Sequence, residues 1–259
     1  MNISRVNLIC FSPTSSTKKV VELIGSAWET QRYIDTTPHS AAEDEYTFSR
    51  EELAVFGVPS FGGRVPDVAL KRFSRMKGDN TPAVVVCAYG NRAYEDTLRE
   101  LAACLTSRGF RVVAAVAAVC EHSIVRSIAN GRPNAEDEEE LKDFSRQIRE
   151  LVQCAESAEG IATMTFDTAP YREYGGVPMK PHADKKCNEC GVCAQQCPTN
   201  SIPHDKPNKT AEATCITCMR CVYVCPQQAR KLNKVMLFAV EKKLRKVCDT
   251  PKSNELFLG

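Results

Sequence analysis

Along the first 160 residues, apolar runs of strand length alternate with segments whose apolar residues recur at helical spacing. Val6–Phe11 reads as a buried strand, Lys18–Trp28 as an amphipathic helix and Arg32–Asp35 as a short strand. Leu53–Val58 and Ala83–Ala88 are further strands, with a helix predicted between them over Val68–Met76. A helix from Tyr94 to Ser107 is stopped by Gly109, Val112–Val119 is a fifth strand, and Ala135–Glu156 is a long closing helix. Asp137, Glu138, Glu139 and Glu140 fall in its first turns, where carboxylates favour the positive end of the helix dipole. The alternation predicts an α/β fold with a doubly wound, five-stranded parallel sheet. Ligands of such a sheet bind at the carboxyl ends of its strands, beside the switch point.

The pattern breaks over residues 161–181. Thr168-Ala169-Pro170-Tyr171 and Gly175-Gly176-Val177-Pro178-Met179-Lys180-Pro181 carry Pro and Gly punctuation without an apolar period, which reads as an ordered or extended linker. Cysteine usage changes with it. Of 14 cysteines among 259 residues, Cys10, Cys87, Cys104, Cys120 and Cys154 are scattered, eight crowd between Cys187 and Cys225, and Cys248 stands alone. The net charge of +2 divides into an acidic first half and a basic second half. So mild a charge gives no general signal for nucleic acid. Met1-Asn2-Ile3-Ser4-Arg5 leads into a strand without a cleavage site, and no apolar run approaches the roughly 20 residues of a membrane span. A reducing, cytoplasmic setting is expected, which argues against a disulfide scaffold.

The chain after the first strand reads Ser12-Pro13-Thr14-Ser15-Ser16-Thr17, directly before a helix. Free N–H donors of a helix start, ringed by hydroxyls, hold a phosphate well, although such residues also serve as plain caps. Pro59-Ser60-Phe61-Gly62-Gly63-Arg64 follows the third strand and Tyr89-Gly90-Asn91-Arg92-Ala93-Tyr94 the fourth, two Gly-containing loops with aromatics that could sandwich a planar ring. Together these loops resemble the flavodoxin-like family, with Ser15 where that family's phosphate loop has glycine. The resemblance implies FMN, its phosphate held by Ser12, Thr14, Ser15, Ser16 and Thr17. It puts Pro59, Ser60, Phe61, Gly62 and Gly63 on one side of the flavin ring. Tyr89, Gly90, Asn91 and a stacking Tyr94 fall on the other. Arg64 and Arg92 near the ring, where flavodoxins carry acidic residues, imply a flavin potential above that of ordinary flavodoxins. No G-x-G-x-x-G or P-loop motif occurs.

The strongest signal is an internal repeat. Cys187-x-x-Cys190-x-x-Cys193-x-x-x-Cys197-Pro198 recurs 28 residues later as Cys215-x-x-Cys218-x-x-Cys221-x-x-x-Cys225-Pro226. Zinc sites use paired cysteines rather than three at equal spacing with a fourth before proline. The run resembles the bacterial two-cluster ferredoxin module over about residues 182–230, an α+β unit. Its ligation rule implies one [4Fe–4S] cluster on Cys187, Cys190, Cys193 and Cys225, and a second on Cys215, Cys218, Cys221 and Cys197.

The scattered cysteines read as small buried hydrophobes, and His122 as a surface loop residue, with reach to the flavin edge as the lesser alternative. The expected organisation is a flavodoxin-like domain at 1–160, a linker at 161–181, a ferredoxin-like domain at 182–230 and a basic, helical tail at 231–259. Electron transfer between clusters and FMN, and on to a redox partner, is the leading expectation. The eight Lys and Arg between Arg230 and Lys252, against Glu241 and Asp249, offer an acidic partner a docking place, or form a solvated helix face. A ferredoxin-fed FMN reductase of a small acceptor and a redox-sensing protein are the alternatives.

Overall fold

A computed structural model describes residues 1–259. The strands predicted from continuous apolar runs form β1 (Arg5–Cys10), β2 (Gln31–Asp35), β3 (Glu52–Pro59), β4 (Thr81–Tyr89) and β5 (Phe110–Val119). Between them run α1 (Ser16–Gly25), α2 (Asp67–Phe73), α3 (Thr97–Thr106) and, after β5, α4 (Ala135–Cys154). All five strands are parallel, in the order β2-β1-β3-β4-β5, so the direction of strand addition reverses between β1 and β3. That is the flavodoxin-like order, with its crevice at the β1/β3 switch point. Helices cover both faces, which is why the inner strands are apolar throughout rather than alternating. Ile9, Phe56, Phe73, Val85, Leu101 and Phe110 pack on one side, and Val20, Val55, Val86, Leu141 and Ile148 on the other.

Two helices are shorter than expected. α2 stops at Phe73, and Met76–Gly78 instead pairs in parallel with Tyr46–Phe48 as a side ribbon. α3 starts only at Thr97, because Glu95 adopts φ 41° and Asp96 stands at the N-cap, leaving Tyr94 in the loop. α4 opens with a capping box in which Asn134 and Asp137 satisfy each other's backbone N–H groups, with Glu136 and Glu138 beside them.

The cysteine-rich domain is closed by His182–Ala183 pairing antiparallel with Arg230–Lys231. Its sequence repeat is also a backbone repeat. Left-handed residues recur at the 28-residue spacing, Glu189 with Thr217, Gly191 with Met219, and Asn200 with Gln228. The short helices α5 (Val192–Gln195) and α6 (Arg220–Tyr223) begin at the second of these pairs.

The segment after residue 231 departs from a simple helical tail. α7 (Lys234–Arg245) is helical, capped by Asn233, but Glu255–Leu258 forms a sixth strand, β6, antiparallel to β5 at the sheet edge. The sheet therefore has five parallel strands and one antiparallel strand. The chain leaves the first domain, builds the second and returns to the first. Asn254 fixes the return: its side chain accepts from the Val119 N–H at 2.9 Å and donates to Asp137 and Glu140. No helix is long and apolar enough to cross a membrane.

Candidate functional site

The carboxyl ends of β1, β3, β4 and β5 open into a cavity of about 440 Å³. Thr14, Ser16, Thr17, Pro59, Ser60, Phe61, Gly62, Tyr89 and Gly90, nine of the residues expected at a flavin, line it together. The loop after β1 is built for an anion. Ser15 takes φ 65°, the left-handed conformation glycine supplies in the family pattern, and the backbone N–H groups of Thr14, Ser16 and Thr17 take no hydrogen bond from the chain. Ser12 lies behind the loop, its hydroxyl accepting from the Lys18 N–H at 2.9 Å and its own N–H donating to Thr37 at 2.7 Å. Free donors at the helix start beside a cavity between two Gly-containing loops fit a phosphorylated flavin.

Other expected residues stand elsewhere. Tyr94 does not reach the cavity. Its ring meets Tyr89 edge-on at 5.2 Å and its hydroxyl donates to Glu255 of β6 at 2.9 Å, so the added strand has claimed it. Asn91 is buried as a clasp for the returning chain, donating to the carbonyls of Cys248 and Thr250 at 3.0 Å and accepting from the Lys252 N–H. Gly63, at φ 86°, packs against Glu95. Arg64 turns away, paired with Glu100 and donating to the Arg172 carbonyl, and Arg92 is paired with Glu95. The charge argument for a raised flavin potential therefore loses Arg64 and keeps only a neutralised Arg92. The cation at the cavity with no ion-pair partner is Lys243 of α7.

The remaining walls come from segments that carry no flavin motif. Tyr174 of the linker lies on Gly62, so closely that a Cβ there would sit 2.2 Å from its ring. The linker itself is pinned: Tyr171 stacks between the guanidinium groups of Arg64 and Arg99, and the Arg172 N–H donates to Asp96 at 2.7 Å. Val240, Lys243 and Leu244 of α7 and Ile216, Thr217 and Cys218 of the cysteine-rich domain close the far side. His122 fills the wall behind Gly90, where a Cβ would lie 2.5 Å from its ring. Its Nδ1 accepts from the Ile124 and Val125 N–H groups, so the imidazole is held as the tautomer protonated at Nε2, and burial lowers its pKa.

The eight clustered cysteines fall into two cavities with the sets that the ferredoxin resemblance implies. Cys187, Cys190, Cys193 and Cys225 line one, and Cys197, Cys215, Cys218 and Cys221 the other. In each set the fourth residue's sulfur accepts a backbone N–H four positions on, Ser201 to Cys197 at 3.2 Å and Ala229 to Cys225 at 3.3 Å. Burial pushes the Cys221 thiol up to about 12 and raises Cys218 as well. Coordinated iron deprotonates a thiol outright, so the arrangement fits iron–sulfur ligation. The sets differ in exposure. Cys190 is exposed, Cys187 and Cys225 half-buried and Cys193 buried, whereas Cys197, Cys218 and Cys221 are buried and Cys215 half-buried.

Two arginines join the inner set to the sheet domain. Arg72 of α2, fully buried, donates to the Thr36 and Thr37 carbonyls and, at 2.8 Å, to the carbonyl of Pro198 next to Cys197. Arg220, beside Cys221, donates at 3.2 Å to the carbonyl of Pro13 in the loop after β1.

Residues 180–226 match the 4Fe–4S dicluster domain family. No curated protein matches the chain. Among solved structures, a flavodoxin from Streptococcus pneumoniae is 14% identical, with 57% of this chain and 99% of that chain covered at a TM-score of 0.39. Flavodoxin 1 from Bacillus cereus is 18% identical, covering 57% of this chain and 98% of its own, at 0.40. A rubredoxin oxygen:oxidoreductase from Desulfovibrio gigas is 13% identical over 59% of this chain and 37% of that one, also at 0.40. The strand order and the matched segment together define a flavodoxin-like domain joined to a 4Fe–4S ferredoxin-type domain. The class of chemistry that follows is redox.

Proposed function

We propose that this chain is an electron-transfer protein holding two [4Fe–4S] clusters and one FMN, wired in series. One observation carries the reading: Cys218 lines both the inner cysteine cavity and the flavin cavity. When bound, the clusters supply one-electron transfer and the flavin one- or two-electron transfer. The chain's own residues set the order. The set of Cys187, Cys190, Cys193 and Cys225, which contains the one exposed ligand, Cys190, faces outside partners, and the more buried set with Cys218 faces the flavin. Arg72 and Arg220 fix the separation between the inner set and the phosphate loop, while Tyr174, Val177 and α7 exclude water from the space between. Thr14, Ser16 and Thr17 hold the FMN phosphate.

Anaerobic reconstitution tests this. About eight iron and one FMN per chain are expected. Flavin reduction after rapid cluster reduction should proceed at a rate independent of protein concentration. No bound flavin, or a rate proportional to protein concentration, would sink the reading.

A second reading, a reductase of a small acceptor, is favoured by His122, a neutral hydrogen-bond donor held in the flavin cavity. Turnover of a small acceptor that is lost in His122→Phe and kept in His122→Gln would favour it over pure electron transfer.

A further inference from the structure

The outward face of α7 has no partner within the chain. Leu237, Val240 and Leu244 pack inward, against the loop after β5 and the cysteine-rich domain. At 100° per residue, Val235, Phe238, Lys242 and Lys246 share the opposite face. Val235 is 79% exposed and Phe238 69%, the two most exposed large apolar side chains of the molecule, with Val247 at 57% and Tyr223 at 56% next. Scattered exposed apolar residues need no explanation, but these lie on adjoining elements and are rimmed by one sign of charge. Lys231 is paired with Asp184 and Arg245 with Glu241, whereas Lys234, Lys242 and Lys246 enter no ion pair.

The patch also stands next to the exposed cysteine set. Cys225, Tyr223, Lys231, Lys234 and Leu237 line a single groove of about 830 Å³, whose two carboxylates, Glu121 and Glu241, are paired with Arg126 and Arg245. The Ala229 N–H that donates to the Cys225 sulfur lies four residues before the Asn233 cap of α7. An apolar centre with a cationic rim beside an accessible cluster ligand matches a carboxylate-rimmed partner that must bring its redox group close.

We infer that this face is the docking site of a small acidic one-electron carrier protein, which exchanges electrons with the cluster on Cys187, Cys190, Cys193 and Cys225. The inference rests on the proposed electron-transfer function but concerns only the outer end of the chain of cofactors. One electron passes between the carrier and this cluster, and no bond is made or broken.

The test uses the anaerobically reconstituted full chain and a pre-reduced acidic [2Fe–2S] ferredoxin as the probe, whose visible bands differ from those of a [4Fe–4S] cluster. Cluster reduction is followed by the change in the visible absorbance of the mixture, which requires no bound flavin. Reduced methyl viologen serves as a small reductant that needs no docking surface. At low ionic strength, the Lys234→Glu/Lys242→Glu/Lys246→Glu variant should lower the second-order rate with the ferredoxin by at least about tenfold, and Phe238→Ser by about threefold. Viologen rates should be unchanged, and added salt should slow the wild type towards the variant. Equal ferredoxin rates in wild type and variants would overturn the inference. So would unchanged ferredoxin rates accompanied by charge-dependent binding of the wild type to phosphatidylserine vesicles, or by self-association through Phe238. Loss of flavin reduction with normal, lysine-dependent cluster reduction would instead defeat the proposed function and leave this surface standing.

Discussion

Around the central sheet, Ile9, Phe56, Val85, Leu101, Leu141 and many like them are withdrawn from water on both faces. In the cysteine-rich domain the largest buried apolar group has five members, and three of them are Cys193, Cys197 and Cys221. A segment of that size buries too little apolar surface to offset the entropy of ordering its chain. The comparison teaches that the two domains are stabilised by different things. The sheet is held by its own side chains, whereas the second domain, of the 4Fe–4S type, depends on its iron in place of a core.

The sharpest way to break this contrast is to remove the iron. Chelation under anaerobic conditions is expected to abolish amide protection across residues 182–231, because ligand binding and folding are one process in such a domain. The strands β1, β3, β4 and β5 should keep theirs. Hydrogen exchange read by mass spectrometry separates the two, and continued protection around Cys193 and Cys221 without iron would show that the domain has an independent core after all.

The junction comes next. Arg72 is a buried cation with no carboxylate partner; burial lowers its pKa, and three main-chain carbonyls accept from its terminal nitrogens while its Nε–H has no partner. Arg72→Ala leaves those carbonyls unmet and is expected to cost about 3 kcal/mol. Denaturant unfolding of the holoprotein measures the cost, and limited proteolysis should show the domains parting at the linker. If Arg72 only supports the sheet domain, stability falls but the linker stays protected.

The returning strand adds a pH-dependent component. Burial would raise the Asp137 carboxyl, but hydrogen bonds from Arg132, the Asn134 N–H and Asn254 outweigh it and hold the group below the usual carboxylate range. A carboxylate depressed on folding contributes stability that is fully present above its unfolded pKa and is lost as pH falls through its folded one. The β6 anchor should therefore weaken only below about pH 4. Asn254→Ala is expected to cost about 2 kcal/mol at pH 7, less than Arg72→Ala, and to flatten the acid limb of the stability curve. Thermal unfolding between pH 3 and 7 checks both.

What could be read from the sequence followed the same division. Continuous apolar runs such as Val84-Val85-Val86 can only be buried strands, and equal cysteine spacing before proline serves few purposes other than cluster ligation. The junction was harder, because its contacts are set by the fold rather than by local pattern. Glu255–Leu258 is four residues long and pairs with a strand far away in sequence, so no period announces it. Tyr94 and Asn91 fit a flavin loop, but Tyr94 is claimed by that strand and Asn91 by the chain leading to it. Val240 and Leu244, four apart within a basic run, were the available sign that α7 has an inner face. Tyr174 gave no sign beyond being an aromatic next to Gly175-Gly176.

The smallest effect bears on the loop where the two domains meet. Ser15 occupies a left-handed conformation, at φ 65°, that costs an L-residue about 1 kcal/mol and glycine almost nothing. Its side chain makes no hydrogen bond to the helix it precedes, so a capping role does not offset that cost. Ser15→Gly should stabilise the holoprotein by up to about 1 kcal/mol, reduced somewhat by glycine's larger entropy in the unfolded chain. Flavin affinity should hold or improve, since the free N–H groups of Thr14, Ser16 and Thr17 are kept. Fluorescence titration with FMN and a melting curve measure the two effects separately. A loss of FMN affinity with a gain in stability would mean that the Ser15 hydroxyl itself binds phosphate, and that serine stands in place of glycine for the sake of the ligand rather than the fold.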